Sequence, residues 1–388
     1  MSDDAPLNAP LIILGTGLAG YNLAREFRKL DSQRELVLVT ADDGRFYSKP
    51  LLSTGFANGK EADELGMQDA PTMAAQLNAS VMTGIRVTGI DRINRTLQYA
   101  GGQLSYSELV LACGAQARQL PDVTAMGERL LSINDLQDYA RFRTALAGKQ
   151  RVVIIGAGLI GSEFANDLAS AGLQVQVVAP DTQLMPGLIP AQVAAPVQAG
   201  LEALGVQFHL GRSVVAMQRT DQGLRLTLDD GSQLEAQQGL SAIGLIANTE
   251  LASAAGIECG RGVKVDRQLR TSDPTIYALG DCAEVQGLNL MYVMPLMTAA
   301  RSLAQTLAGQ AAQITYGPMP VMVKTPACPL VVAPPVTSAN GNWTISGSGA
   351  DIAALFHDAQ GVLHGYALTG SAVAQKSELN RQLPAWLV

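Results

Sequence analysis

Cysteine, histidine and aromatic residues are all scarce in this chain, and each shortage excludes a class of protein. Three histidines without metal-ligand spacing give no reason to expect a metal site. Aromatic residues make up 5% of the sequence and all hydrophobic residues 47%, which favours Val/Ile/Leu/Ala-rich α/β layers over an aromatic-rich β-sandwich. The four cysteines are scattered without a C-x-x-C pair, which indicates reduced thiols rather than a disulfide framework; they are Cys113, Cys259, Cys282 and Cys328.

Long hydrophobic runs and runs of basic charge are also missing. No stretch of the sequence reaches the roughly 18 consecutive apolar residues that a membrane helix needs. The net charge of −7, with no basic cluster, gives no reason to expect nucleic-acid binding. Residues 1–10 contain Asp3 and Asp4 but neither Lys nor Arg, which is unlike a secretory signal peptide. Together these features predict a cytoplasmic protein that is not inserted in a membrane.

Two glycine motifs of the form G-x-G-x-x-G are the most informative features that the sequence does contain. They occupy residues 15–20 and 156–161, and each follows a short apolar run and precedes a helix-like pattern. Such glycines allow a tight turn, let a pyrophosphate approach the backbone, and let the helix pack on the strand. Two motifs in matching context predict two dinucleotides in one chain, with electrons passing between them. The motif residues predicted to bind are Gly15, Thr16, Gly17, Leu18, Ala19, Gly20, Gly156, Gly158 and Gly161.

The order of apolar runs predicts an α/β fold with two Rossmann-like nucleotide-binding domains, one inserted in the other, and a small C-terminal α+β domain. We expect residues 1–113 and 247–325 to form the first nucleotide domain and residues 114–246 the inserted one. Residues 326–388 begin with several prolines and continue in short alternating runs, which is typical of a small separate domain.

The stretch from Thr271 to Asp281 is a predicted strand that ends in Gly280-Asp281, and it is the most specific single motif. A carboxylate there can accept hydrogen bonds from sugar hydroxyls, or it can cap the next helix. Together with both glycine motifs, it resembles the second flavin motif of the FAD-dependent pyridine-nucleotide oxidoreductases. The resemblance covers nearly all of residues 10–325. It implies that the first domain binds FAD, with Asp281 on the ribityl chain, and that the inserted domain binds NAD.

The loop at residues 42–53 distinguishes between branches of that family. Disulfide reductases carry a redox cysteine pair there and NADH peroxidases a single cysteine, but this loop has none. Thiolate attack on flavin needs sulfur at that face, so we expect no dithiol chemistry. The run from Tyr47 to Ser53, with residues 40–44 and 292–296, is similar to the ferredoxin- and rubredoxin-reductase branch. That resemblance implies a flavoprotein that takes hydride from NADH and gives single electrons to rubredoxin, a small acidic iron protein.

Three other functions stay open at this point. A flavorubredoxin reductase serving nitric oxide reduction has a similar Lys-Pro loop. A peroxide-forming NADH oxidase would pass electrons from flavin to oxygen, and the cysteine-free loop argues only against the four-electron type. A redox-sensing protein would bind both dinucleotides without a fast acceptor, and the long disordered or basic extensions that would favour it are missing from the sequence. The pathway, whether alkane oxidation or detoxification of oxygen or nitric oxide, also stays open.

Three charged residues are candidates for the flavin site. The resemblance implies that Lys49 lies near the flavin and that Glu163 projects toward it. A Lys49–Glu163 ion pair there would exclude water and tune the electronic properties of the flavin. Lys49 and Glu163 are therefore the candidate catalytic residues. Both could instead be solvated, with Glu163 favoured by the helix dipole. Lys324 lies in an apolar run, where a buried cation needs an anion such as the reduced flavin edge, unless it is a surface lysine. Val87 and Val293 resemble backbone contacts to FAD.

Ribose recognition departs from the usual pattern in both nucleotide units. An acidic residue normally ends the second strand, but in the inserted unit Asp181 lies two positions too far. Arg212 is the nearest cation that could hold a 2′-phosphate and is far along the chain, so we expect NADH rather than NADPH. In the first unit Thr40 occupies the acidic slot. We expect Asp42, or backbone groups at Thr40 and Ala41, to hold the ribose of FAD.

An acidic rubredoxin implies a basic docking rim on this chain despite its net charge of −7. Such a contact is expected to be small and sensitive to salt. The candidate residues for that rim are Arg45, Arg301, Lys376 and Arg381.

Overall fold

The structure is a computed structural model that describes residues 9–121, 123–336 and 339–388. Asp3 and Asp4, which argue against a signal peptide, lie outside these ranges. Three five-stranded sheets organise the described residues: two are parallel and one is antiparallel. The predicted fold class, two Rossmann-like units with a small C-terminal α+β unit, is confirmed.

The first parallel sheet lies beneath the first glycine motif. In spatial order its strands are Ile276–Ala278, Glu108–Leu111, Leu11–Leu14, Leu36–Val39 and Ser80–Met82. All four residues of Leu11–Leu14 are buried, which suits a central strand covered on both faces. The long helices that cover the sheet are Leu18–Arg28, Ala70–Leu77 and Val293–Leu307, and the first and last of them pack on each other.

Smaller elements surround this first sheet. Antiparallel strands Val87–Asp91, Thr96–Tyr99 and Gly102–Ser105 form one side sheet, and strand pairs join Phe46–Tyr47 to Gly66–Gln68 and Val263–Val265 to Ala283–Val285. The remaining helical segments are Lys49–Thr54, Ala62–Leu65, Glu250–Ala254 and Gly280–Cys282. The cysteine-free loop is thus not irregular throughout, because Lys49–Thr54 forms 3₁₀ turns.

The second parallel sheet repeats the arrangement around the second glycine motif. Its strands, in spatial order, are Leu130–Leu131, Gln238–Ser241, Arg151–Ile155, Gln174–Ala179 and Gln207–Leu210. Its helices are Val123–Met126, Gly127–Arg129, Leu136–Leu146, Leu159–Ser170 and Ala191–Ala203. An antiparallel side sheet contains Val214–Thr220, Gly223–Leu228 and Gln233–Ala236. Strands Ala115–Ala117 and Leu245–Ala247 pair where the chain enters and leaves this unit.

The third sheet is antiparallel and lies in the C-terminal part of the chain. In spatial order its strands are Val321–Val323, Leu330–Ala333, Leu363–Thr369, Asp351–His357 and Asn342–Ser348, and the helical segments Gly370–Gln375 and Lys376–Asn380 follow. Its first strand precedes residue 326, where we expected the C-terminal domain to begin. A shared apolar core contains Leu52, Phe164 and Val323, so the loop, the second unit and the third sheet pack together.

Candidate functional site

The first glycine motif forms the turn between strand Leu11–Leu14 and helix Leu18–Arg28. Gly15 has a φ of 117°, and a Cβ on it would overlap the carbonyl oxygen of Ala112. A Cβ on Gly20 would overlap the carbonyl oxygen of Gly15. At Gly17 a Cβ would meet no atom within 4 Å, and no side chain caps the helix there. The helix N-terminus therefore opens onto free space, as an anion site requires.

The second motif has the same three positions. Gly156 has a φ of 114°, a Cβ on Gly161 would overlap the carbonyl oxygen of Gly156, and Gly158 faces open space at the start of helix Leu159–Ser170. Each turn combines an uncapped helix N-terminus with a cradle that a side chain would fill. Both turns therefore fit the pyrophosphate of a dinucleotide.

The turn after the second strand of the first unit is organised around Asp42. Its Oδ1 accepts hydrogen bonds from Thr16 Oγ1 at 3.3 Å, Thr40 Oγ1 at 2.6 Å and the Gly44 N–H at 2.9 Å. Ala41 is exposed on this turn. One oxygen of Asp42 thus holds the turn together and ties it to the glycine motif. The predicted contact of Asp42, Thr40 or Ala41 with ribose stays a prediction.

Val87 begins an edge of the side sheet next to that turn. The preceding Gly84 donates its N–H to the Asp42 carbonyl at 2.9 Å, and Ile85 donates to the Thr40 carbonyl at 2.8 Å. Val87 is half-buried. Its backbone is therefore close to the predicted adenosine end of the site, although its contact with FAD stays a prediction.

Asp281 lies on the opposite side of the first glycine motif. Gly280 has a φ of 77°, and a Cβ on it would lie 2.8 Å from the Cβ of Ala19, so the Gly-Asp turn packs directly on the motif helix. Burial raises the pKa of Asp281, and the positive charge of Lys49 opposes that rise. Lys49 Nζ lies 3.9 Å from Asp281 Oδ2 and donates to Asn134 Oδ1 at 2.8 Å. The structure thus brings Lys49 to the predicted flavin-binding aspartate.

Leu18 and Val293 each provide the first residue of a helix beside this site. Leu18 follows the open position at Gly17, and Val293 begins helix Val293–Leu307, whose residue Leu296 lies close to Gly280. The N-cap residue, Tyr292, makes no side-chain hydrogen bond to the helix. Val293 thus presents an uncapped backbone beside Gly280-Asp281, which is compatible with the predicted backbone contact.

The predicted Lys49–Glu163 pair is replaced by a different one. Glu163 is 1% exposed, and its Oε2 lies 2.6 Å from Lys324 Nζ and accepts from Ser53 Oγ at 2.6 Å. Its Oε1 accepts the backbone N–H of Lys324 at 3.0 Å. Lys324 is the closer cation because strand Val321–Val323 delivers it to the motif helix. The anion that balances Lys324 is therefore Glu163, and the carboxylate nearest to Lys49 in an ion pair is that of Asp281.

Two further residues on the same helix were not singled out in the sequence. Asn166 Oδ1 accepts the Ala327 N–H at 3.1 Å, and Asp167 accepts the N–H groups of Phe56 and Ala57 at 3.0 and 2.8 Å. Burial raises the pKa of Asp167. With Glu163 these residues follow an i, i+3, i+4 spacing, which places them on one helix face. That spacing is the sequence signal that could have identified these residues, since the helix is otherwise rich in apolar and small residues.

Arg212 is close to the second nucleotide unit in space although it is far along the chain. Its backbone N–H donates to the carbonyl of Ala179, the last residue of strand Gln174–Ala179, at 3.0 Å. Asp181 accepts the Gly211 N–H through its own carbonyl at 2.8 Å. Arg212, which was expected to be remote because it is far along the chain, therefore lies at this strand end, since the neighbouring parallel strand returns the chain to the same edge.

The four candidate docking residues differ in how far their charge is already paired. Arg45 pairs with Asp43 at 2.8 Å and Asp63 at 2.6 Å, so its charge is already balanced. Lys376 contacts the Met322 sulfur, with Nζ–Sδ 3.7 Å. Arg301 and Arg381 are exposed. Their role in docking stays a prediction.

The four cysteines are free thiols, as expected. Burial raises the pKa of Cys282 to about 11, and the negative charge of the adjacent Asp281 acts in the same direction, so this thiol is protonated at neutral pH. Within the described ranges, no three or more His, Cys, Asp or Glu side chains are arranged to hold a metal ion. No helix in this part of the chain is both long and apolar enough to cross a membrane.

Comparison with known proteins agrees with this geometry. Residues 9–305 match the pyridine nucleotide-disulphide oxidoreductase family, and residues 313–383 match the rubredoxin binding C-terminal domain. The chain is 51% identical to a rubredoxin-NAD(+) reductase of Alcanivorax borkumensis over 97% of this chain and 99% of that protein. It is 37% identical to a nitric oxide reductase FlRd-NAD(+) reductase of Vibrio vulnificus, over 97% and 98%.

Among solved structures, the covalent putidaredoxin reductase–putidaredoxin complex matches with a TM-score of 0.88 and 25% identity, covering 97% of this chain and 94% of that one. The agreement therefore extends through both nucleotide units and the third sheet. The chain belongs to the pyridine nucleotide-disulphide oxidoreductase family and carries, after its two nucleotide-binding units, a C-terminal domain of the rubredoxin-binding type.

Proposed function

We propose that this chain is a rubredoxin–NAD(+) reductase, in which FAD is the resident cofactor, NADH the electron donor and rubredoxin the one-electron acceptor. The observation that carries the proposal is the buried junction of Glu163, Lys324 and Ser53. It joins the helix of the second glycine motif, the C-terminal sheet and the cysteine-free loop. In this proposal, nicotinamide binding, acceptor docking and the flavin site would therefore meet at one point. The relatives named rubredoxin-NAD(+) reductase support this assignment.

The residues around the first motif would hold FAD, which when bound accepts a hydride and can release the two electrons singly. The helix N-terminus at Gly17 would bind the pyrophosphate, and Asp281 would accept hydrogen bonds from the ribityl hydroxyls. Asp42 or the backbone at Thr40 and Ala41 would bind the ribose. Lys49, held by Asp281 and Asn134, would place a positive charge beside the flavin ring.

The second motif would bind NADH transiently. Gly158 opens the N-terminus of helix Leu159–Ser170 to the pyrophosphate. Glu163, further along the same helix, is buried and engaged with Lys324 and Ser53. We therefore propose that Glu163 fixes the C-terminal strand and the loop against the nicotinamide helix, as a positioning residue rather than the partner of Lys49.

Two further proposals accompany this function. The FAD-binding domain comprises residues 1–113 and 247–325, the NAD-binding domain 114–246 and the C-terminal domain 326–388, except that strand Val321–Val323 is assigned to the C-terminal domain, with whose sheet it pairs. The protein is cytoplasmic, which the four free thiols support because reduced cysteines are typical of that compartment. Fractionation of cells with an antibody to the chain would test the location.

Anaerobic stopped-flow absorbance of the FAD-loaded protein tests the function. NADH is expected to bleach the flavin absorbance, and oxidised rubredoxin to restore it much faster than oxygen does. Recovery with rubredoxin no faster than with oxygen would contradict the proposal and favour the peroxide-forming NADH oxidase. A protein that takes up no FAD would exclude both functions.

The alternative acceptor is the rubredoxin domain of a flavorubredoxin. The likeness to a nitric oxide reductase FlRd-NAD(+) reductase, which covers nearly the whole chain, is the observation that favours it. The same stopped-flow measurement separates the two acceptors when rubredoxin and flavorubredoxin are offered at equal concentration. We expect faster flavin reoxidation by rubredoxin, since the relative of that name is the more similar, at 51% against 37% identity.

A further inference from the structure

An arginine–aspartate pair lies beside the end of the second strand of the NAD-binding unit. The backbone of Gly211 and Arg212 continues the pairing beyond the parallel strands, through the Arg212 N–H to the Ala179 carbonyl at 3.0 Å. The Arg212 side chain turns to Asp230, with Nε–Oδ2 2.8 Å. Both side chains keep solvent contact, at 46% and 36% exposed. The pair is therefore accessible to a ligand at this edge of the sheet.

This strand end is where Rossmann units distinguish the two nicotinamide dinucleotides. An acidic residue there binds the ribose 2′-hydroxyl of NAD, whereas an arginine accommodates the 2′-phosphate of NADP. Here the strand ends at the uncharged Ala179, Pro180 follows it, and the first acidic residue is Asp181, beyond the usual position. The guanidinium of Arg212 would suit a phosphate well, because its planar donors match phosphate oxygens. A free Arg212 would thus favour NADPH, contrary to the donor proposed above.

Asp230 is held in place to neutralise that arginine. It lies in the turn between strands Gly223–Leu228 and Gln233–Ala236, and its Oδ1 accepts from Ser232 Oγ at 2.6 Å and the Ser232 N–H at 3.0 Å. The hydrogen bonds from Ser232, together with the Arg212 charge, lower the pKa of Asp230, so it is ionised at neutral pH. The adjacent Asp229 donates its N–H to the Ser213 carbonyl at 3.0 Å, which fixes the turn against the Arg212 segment.

We propose that the Arg212–Asp230 pair is the specificity-determining element that makes this enzyme prefer NADH to NADPH. Asp230 occupies the guanidinium that would otherwise bind a 2′-phosphate, and its negative charge repels that phosphate. The 2′-hydroxyl of NADH carries no charge and is accepted. The pair thus replaces the acidic residue that normally ends the strand. This inference rests on the proposed function, because it assumes that the second glycine motif binds the donor.

The test compares NADH and NADPH as reductants of the FAD-loaded variant Asp230→Asn under anaerobic conditions. Loss of the carboxylate frees Arg212, so we expect the ratio of kcat/KM for NADPH to that for NADH to rise about tenfold, mainly through a lower KM for NADPH. The double variant Asp230→Asn/Arg212→Gln is expected to lose that gain. Glu235→Gln is the matched control, because Glu235 pairs with Arg225 at 2.6 Å in the same side sheet.

A binding measurement keeps the inference separate from turnover. By calorimetry, Asp230→Asn is expected to bind 2′,5′-ADP more tightly than the unsubstituted protein does, with little change for 5′-AMP. An unchanged NADPH-to-NADH ratio in Asp230→Asn would overturn the inference, as would an equal rise in Glu235→Gln or a gain retained in the double variant. Failure of NADH to reduce the unsubstituted protein would instead overturn the proposed function.

Discussion

The buried ion pair of Glu163 and Lys324 predicts that removing one charge costs more stability than removing the other. Lys324→Met removes the ammonium and leaves a carboxylate that is 1% exposed. Breaking a buried pair in this way costs about 3–5 kcal/mol of the free energy of unfolding. Ser53 Oγ and the Lys324 N–H still donate to Glu163, so we expect the lower end, about 3 kcal/mol.

Glu163→Gln has the smaller expected cost. The ammonium of Lys324 is 26% exposed and can regain water, and the glutamine amide keeps one oxygen to accept a hydrogen bond. We expect a loss of about 1.5–2 kcal/mol, the lower part of the range for a hydrogen bond to a charged group. The double variant Glu163→Gln/Lys324→Met removes both charges, so it is expected to be more stable than Lys324→Met alone.

Urea unfolding at saturating FAD, followed by circular dichroism, measures these differences. The chain has several domains, so the midpoint of each transition should be compared rather than one extrapolated value. Lys29→Met is the surface control, because Lys29 pairs with Glu26 at 2.7 Å and is 64% exposed; it should change stability by about 1 kcal/mol or less. A cost for Glu163→Gln equal to that of Lys324→Met would refute the reasoning, as would a double variant no more stable than Lys324→Met.

Three further predictions concern the flavin site and the helix face beside it. Gly20→Ala should prevent FAD uptake, because the added Cβ would overlap the Gly15 backbone and distort the turn. Gly17→Ala, whose Cβ would meet no atom within 4 Å, should leave the urea midpoint almost unchanged and weaken only the affinity for FAD. In Lys49→Met, burial acts unopposed on Asp281 and raises its pKa further, so FAD release on acidification, followed by flavin fluorescence, should begin at a higher pH than in the unsubstituted protein. Asp167→Ala leaves the buried Phe56 N–H and the part-buried Ala57 N–H without their acceptor and should cost about 2 kcal/mol in urea unfolding; a change below about 1 kcal/mol would contradict this.

Features that depend on a few neighbouring residues were predictable from the sequence. The sequence of residues 135–147 is amphipathic, which by itself indicates a helix, and the structure has Leu136–Leu146 with the Asp135 side chain accepting the Asp138 N–H at 2.7 Å. The glycine motifs were equally informative, because the overlap that excludes a side chain at Gly20 involves Gly15 of the same motif. In both cases the steric and hydrogen-bonding requirements are met within one turn of chain.

Features that depend on which segments meet in space were not predictable in the same way. Lys49 was the predicted partner of Glu163, and Lys324 was predicted to face the flavin edge, because nothing in the local sequence links Lys324 to Glu163. The choice of Lys324 follows from the position of strand Val321–Val323, which forms an edge of an antiparallel sheet assembled from residues much further along. Nothing in the sequence indicated that Arg212 lies near the end of strand Gln174–Ala179, because that contact depends on strand pairing. Parallel pairing of Gln207–Leu210 with Gln174–Ala179 brings it to the strand end.

Helix Leu159–Ser170 connects the proposed NADH site with the C-terminal unit that is proposed to bind the electron acceptor. Its N-terminus faces the space predicted for the NADH pyrophosphate, while Glu163, Asn166 and Asp167 accept backbone N–H groups from the C-terminal unit and the flavin-site loop. Backbone donors fix position whatever side chains the partner segments carry. A helix is also stiff over this length, because each turn is held by its own hydrogen bonds. In the proposed function, this helix rather than the linkers between domains would therefore set the spacing between the donor site, the flavin loop and the acceptor domain.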